Sequence, residues 1–110
     1  MGKKKRYIQG RVYELNDHVL VNFSKGNRRV VALNNNRQEM HVRRITSLYG
    51  KNGKKKNVIP IERYPDIPKD SGIEKRTFRS THSGKPIQEK FLKKTKTRLN
   101  KWDRKKMYWK

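Results

Sequence analysis

The apolar residues of this chain come in short runs that suit strands rather than long helices. Five such runs, "YIQGRVYEL", "HVLVNF", "RRVVALN", "MHVRRITSLY" and "NVIPIERY", follow one another between residues 7 and 64. The breaks between them, "ND", "SKGN", "NNNRQE" and "GKNGKKK", are turn-formers for separate physical reasons. Glycine reaches positive φ without a steric cost, and Asn and Asp bond their own backbone. Five short strands at this spacing predict a mainly β fold, a small and strongly bent antiparallel barrel.

The supply of core residues bounds where that fold can lie. Leu, Ile, Val and Phe number 23 among 110 residues, close to the level at which high charge favours disorder. Seventeen of the 23 fall within residues 7–67. The sequence therefore predicts a basic arm over residues 1–6, with Lys3, Lys4, Lys5 and Arg6, a barrel over 7–82, and a sparse basic segment over 83–110. "YPDIPKDSG" carries two of the four prolines and predicts a loop. In the last segment Ile87, Phe91, Thr95, Leu99, Trp102 and Trp109 recur at roughly helical spacing. With Ser83 as N-cap and Pro86 in the first turn, they predict a basic C-terminal α-helix. Its apolar stripe is thin, so Trp102, Tyr108 and Trp109 are expected to dock it, the alternative being stacking platforms for bases.

Charge narrows the partner. Lys and Arg total 31 against nine Asp and Glu, a formal net charge of +22. A field of that size calls for a polyanion, and nucleic acid, RNA or DNA, is the expected one. An anionic membrane would favour a helix with a richer apolar face. The chain has no cysteine, so neither a disulfide framework nor a Cys-based zinc site can form. No apolar run has the length of a signal-peptide core or membrane span, which leads to the expectation of a cytoplasmic protein.

Few residues carry chemistry. "GKNGKKK" lacks the spacing of a P-loop and stands between two strands instead of before a helix. His18, His41 and His82 are scattered, and no Asp, Glu or His cluster has metal-ligand spacing, so neither a metal nor a cofactor is expected. What remains is a basic surface bearing hydroxyls: Arg28, Arg29, Arg43, Arg44, Thr46, Ser47 and Tyr49, the loop lysines Lys51, Lys54, Lys55 and Lys56, and Arg79 further on. A guanidinium fork matches a phosphate bidentately, and a hydroxyl beside it can donate to an oxygen that gathers charge during phosphoryl transfer. Adjacent strand residues point to opposite faces, so Arg43 and Arg44 cannot both turn away from the core. A solvated face accounts for either one alone; a guanidinium on the buried side needs a partner or an anion.

Two stretches resemble a known family. "RRVVALNNN", followed closely by "VRRITS", and then "IPIERYPDIPKDSGIEKRTFRS" are similar in order and spacing to the PemK/MazF toxins, small SH3-like barrels that cut single-stranded RNA without a metal. The resemblance covers about residues 16–95. It places the family's catalytic arginine on Arg29 and its catalytic threonine on Thr46, and it makes the stretch ending at Phe78, Arg79 and Ser80 a further strand. It implies an RNA 2′-hydroxyl attacking its own phosphodiester, a homodimer with a basic groove, and an acidic antitoxin protein as partner. Val30 stands where the family has a proline, "SKGNR" replaces its long site-covering loop, and "GIEKRTF" replaces an apolar strand. The sequence leaves two other functions open: a non-catalytic nucleic-acid- or ribonucleoprotein-binding module of a mobile element, phage or ribosome, and an inhibitor that masks a nucleic-acid enzyme.

Overall fold

The structure is a computed structural model that describes residues 7–15, 29–81 and 83–108. Among these residues it is mainly β, with six strands in one antiparallel sheet and one short helix. The strands are β1 (Arg11–Leu15), β2 (Arg29–Ala32), β3 (Val42–Ser47), β4 (Ile59–Ile61), β5 (Ser71–Phe78) and β6 (Leu92–Arg98), and α1 spans Lys101–Lys106. The sheet order is β4-β5-β3-β2-β1-β6. Four of the five runs supply β1 to β4, and "HVLVNF" lies outside the described residues.

β2 is buried on both sides, which is why it reads as an unbroken apolar run. Residues directly opposite across antiparallel strands share a face, and the register pairs Tyr13 with Val30 and Val12 with Val31. One face carries Tyr13, Val30, Val42, Phe78 and Leu92, packed with Ile8, Met40 and Ile87. The other carries Val12, Val31, Ile73, Ile59 and Ile61, packed with Ile67, Leu99 and Met107.

The sheet does not close into a barrel by backbone pairing: β4 and β6 remain its two edges. Side chains join those edges instead. Asp103, on α1 and fully buried, accepts hydrogen bonds from the Glu62 amide (2.9 Å) and the Tyr64 hydroxyl (2.5 Å), just beyond β4. The Asn100 amide in turn donates to the Tyr64 oxygen (2.9 Å). Asn100 also caps α1, its side-chain oxygen accepting from the Asp103 amide at 2.8 Å, which satisfies a donor that the first helical turn leaves without a partner. Thr97 donates to Asp66. This polar clasp ties the end of β6 to the loop after β4.

The C-terminal helix expected over 83–110 is confined to α1, and β6 takes much of its place. The stretch Lys94–Leu99 reads K-T-K-T-R-L, a period-two alternation. Thr97 and Leu99 are buried while Lys96 and Arg98 are exposed. Threonine is stiff at χ1 and fits a strand. The ladder to β1 offers backbone pairing that a thinly apolar helix could not match by packing. The expected docking stripe changes accordingly. Met107 is buried and Tyr108 donates to the Leu33 carbonyl, whereas Trp102 is 66 % exposed. Trp109 lies outside the described residues.

Candidate nucleic-acid interface

The two adjacent arginines of β3 do take opposite faces. Arg43 is opposite Val31 and Arg44 opposite Val30, so the first looks into the face lined by Ile73 and the second into the face of Phe78. Arg43 is 7 % exposed, its Nε donating to Thr77 Oγ1 at 3.0 Å, and burial lowers its guanidinium from the ordinary value. Arg44 bonds Glu74 Oε1 at 2.7 Å and lies 5.5 Å from the Phe78 ring centre, which Arg76 also covers at 4.6 Å. Both guanidinia thus have protein partners, and β5 supplies them. Its pairing with β3 carries two extra residues on the β5 side between the Arg43–Thr77 and Ile45–Ile73 pairs, a bulge that holds Glu74, Lys75 and Arg76.

Arg29 and Thr46 are not brought together. Arg29 is opposite Ile45, which packs against the face lined by Ile73; Thr46, one residue further along β3, projects from the other side. The Arg29 Nε is buried without a hydrogen-bond partner among the described residues. Arg28 and the histidines His18 and His82 lie outside the described residues, and His41 is half-buried.

Thr46 does gather a polar group around it. Lys56 Nζ donates to Thr46 Oγ1 at 3.1 Å and lies 3.5 Å from Ser47 Oγ, and Ser47 Oγ donates to the Tyr49 carbonyl at 3.2 Å. Lys56 reaches back because residues 48–58 fold as a hairpin. The Lys56 amide bonds Leu48 O (2.8 Å) and the Gly50 amide bonds Lys54 O (2.8 Å). Gly53, at φ +78°, makes the turn with open space where a Cβ would stand. Gly72 on β5 allows the returning arm to lie close, since a Cβ there would stand 2.4 Å from Val58 Cγ2.

That hairpin is strongly cationic and exposed. Residues 48–58 hold Lys51, Lys54, Lys55 and Lys56 and no acid, and all four lysines are exposed. Tyr49 is 50 % exposed beside them. Among the described residues none of the four has an ion-pair partner, and Arg79 is exposed just past β5. A second basic surface, placed on a helix by its spacing, lies on β6 and α1: residues 92–108 hold eight Lys or Arg and one acid, the buried Asp103. Lys105 Nζ stands 5.4 Å from the exposed Trp102 ring. Among the described residues no three His, Cys, Asp or Glu side chains gather to hold a metal, and no helix is long and apolar enough to cross a membrane.

Compared with known protein families, with characterised proteins and with solved structures, the chain matches none.

Proposed function

We propose that this protein is a non-catalytic nucleic-acid-binding module whose first ligand is single-stranded RNA. The observation that carries the reading is the 48–58 hairpin, four exposed lysines and a tyrosine with no acid, standing over the Thr46–Ser47–Lys56 hydroxyl and ammonium group. Such a surface binds phosphates as point charges, and exposed rings such as Tyr49 and Trp102 give bases a face on which to stack. Arg43 and Arg44 are held by Thr77 and Glu74 of β5 and tie the sheet together. The opposite orientation of Arg29 and Thr46 favours binding over cleavage.

One observation favours a second reading, a PemK/MazF-like endoribonuclease. The Thr46 hydroxyl sits 3.1 Å from the Lys56 ammonium, a cation that could steady charge on a phosphorane oxygen. That reading brings with it the SH3-like barrel, the homodimer and the acidic antitoxin that the sequence resemblance implies. Incubating labelled single-stranded RNA with the protein in EDTA tests both. Retarded but full-length RNA is the expected result. Shortened products that vanish with Thr46→Ala or Lys56→Gln would establish the nuclease.

A further inference from the structure

We infer that Arg11, Arg98 and Arg104 converge at the turn over Gly10 to form a phosphate-binding site, separate from the lysine hairpin. Nucleic acid as the source of that phosphate rests on the function proposed above; the site itself rests on geometry.

Arg11 and Arg98 are Cα partners across β1 and β6, so their side chains leave the same face as close neighbours, a pairing that is destabilising for like charges. A third arginine joins them. Gly10 turns into β1 at φ +82°, and a Cβ built on it would stand 2.5 Å from Arg104 Cδ, 2.7 Å from Arg104 Cγ and 3.8 Å from Arg98 Cγ. The stems of Arg98 and Arg104 therefore cross the bare glycine backbone beside Arg11. Any larger residue at position 10 would push them apart.

Each stem is tethered by one bond at its head. Arg98 Nε donates to Gln9 O at 3.0 Å, and Arg104 Nη1 donates to Leu99 O at 2.6 Å. A guanidinium has five N–H donors, so both keep most of theirs for a ligand. Among the described residues the buried Arg11 Nε has no partner, which is costly for a charged donor. Among the described residues none of the three forms an ion pair. Burial, together with repulsion from Arg104 and Arg11, lowers the Arg98 guanidinium below its ordinary value. Three gathered guanidinia around a buried, unmet donor suit an anion with several oxygens, and a phosphate matches their forks.

The test uses the full chain in two arms. In the first, thermal unfolding is read in inorganic phosphate and in chloride at equal ionic strength; phosphate is expected to raise the Tm by several degrees, and Arg98→Gln and Arg11→Gln to abolish the difference. Arg98→Lys keeps the charge without the fork and guards against a folding defect; it is expected to retain only part of the difference. In the second arm a short labelled single-stranded RNA is titrated. Arg98→Gln is expected to weaken binding about tenfold and to lower the slope of log Kd against log salt by roughly 0.7. The double variant Lys54→Gln/Lys55→Gln weakens RNA binding but leaves the phosphate effect on Tm intact. Equal melting in phosphate and chloride would overturn the site, even if RNA still bound through the hairpin. Phosphate stabilisation with RNA binding unchanged in Arg98→Gln would keep the site and overturn nucleic acid as its source. Wild-type protein that ignores RNA would refute the binding function and leave the first arm to decide the site.

Discussion

Replacing Asp103 with alanine should remove a large share of the protein's stability. Asp103 is 0 % exposed and its Oδ2 accepts from both the Glu62 amide and the Tyr64 hydroxyl. Alanine removes the acceptor and leaves two donors behind, each at about 1–3 kcal/mol if buried and unmet. Glu62 is exposed and Tyr64 half-buried, so water can reach part of the gap, and the loss settles at roughly 2–4 kcal/mol. A small domain has only about 5–15 kcal/mol to lose, and each kilocalorie shifts the Tm by about 4–8 °C. The expected drop is therefore on the order of 8–32 °C. Urea unfolding followed by tryptophan fluorescence suits the assay, because Trp102 sits on the helix that the clasp anchors. Tyr64→Phe should lose less, and the double variant should fall short of the sum by about 1 kcal/mol or more, since the pair shares one interaction. An Asp103→Ala protein within about 0.5 kcal/mol of wild type would place it with ordinary surface changes and refute the clasp as what joins the two sheet edges.

Other expectations follow from the same structure. Burial and the bonds to Glu89 and Asp103 push the Tyr13 and Tyr64 phenols well above the ordinary 10.0. Their contribution to stability is whole below pH 10 and is lost as pH rises beyond it, because the unfolded chain ionises first. Alkaline unfolding read at the tyrosinate absorbance should thus shift to higher pH in a Tyr13→Phe variant that still folds, relative to its own neutral stability, and an unchanged profile would contradict the burial argument. Gly72→Ala should cost about 1–3 kcal/mol by overpacking against Val58, seen as a lower urea midpoint; an unchanged midpoint would mean the hairpin yields freely. Arg44→Ala should destabilise the sheet by stripping Glu74 of its partner while reducing RNA affinity far less than Lys54→Gln/Lys55→Gln, as compared by melting and by titration.

Much of the β content could be read from the sequence because β1 to β4 coincide with apolar runs bounded by turn-formers. β6 was hidden by a coincidence of spacing. Ile87, Phe91, Thr95 and Leu99 fall four apart and mimic a helical stripe, whereas the K-T-K-T-R-L alternation within them is the signal that the fold follows. That Arg43 and Arg44 take opposite faces could be read from their adjacency, but their partners could not. Their partners Thr77 and Glu74 reach them only through the two-residue bulge on β5, and nothing in the spacing announces a bulge. Asp103 likewise reads as a lone acid in a basic tail, since Tyr64 and the Glu62 amide are distant in sequence and meet it only when the sheet curls. The hairpin lysines were legible as a surface because a four-lysine loop with no acid has nowhere to hide its charge. The Arg11–Arg98–Arg104 cluster was not, because it depends on β6 being a strand in register with β1.

The central claim, that the protein holds nucleic acid and leaves it whole, is tested most directly by one gel-shift series. Labelled single-stranded RNA is mixed with equimolar protein in EDTA and run across a range of salt. Retarded RNA at low salt, released at full length as salt rises, is the expected result, the affinity falling steeply because each neutralised phosphate releases counterions. RNA that emerges shortened, or a retarded band indifferent to salt, would contradict it.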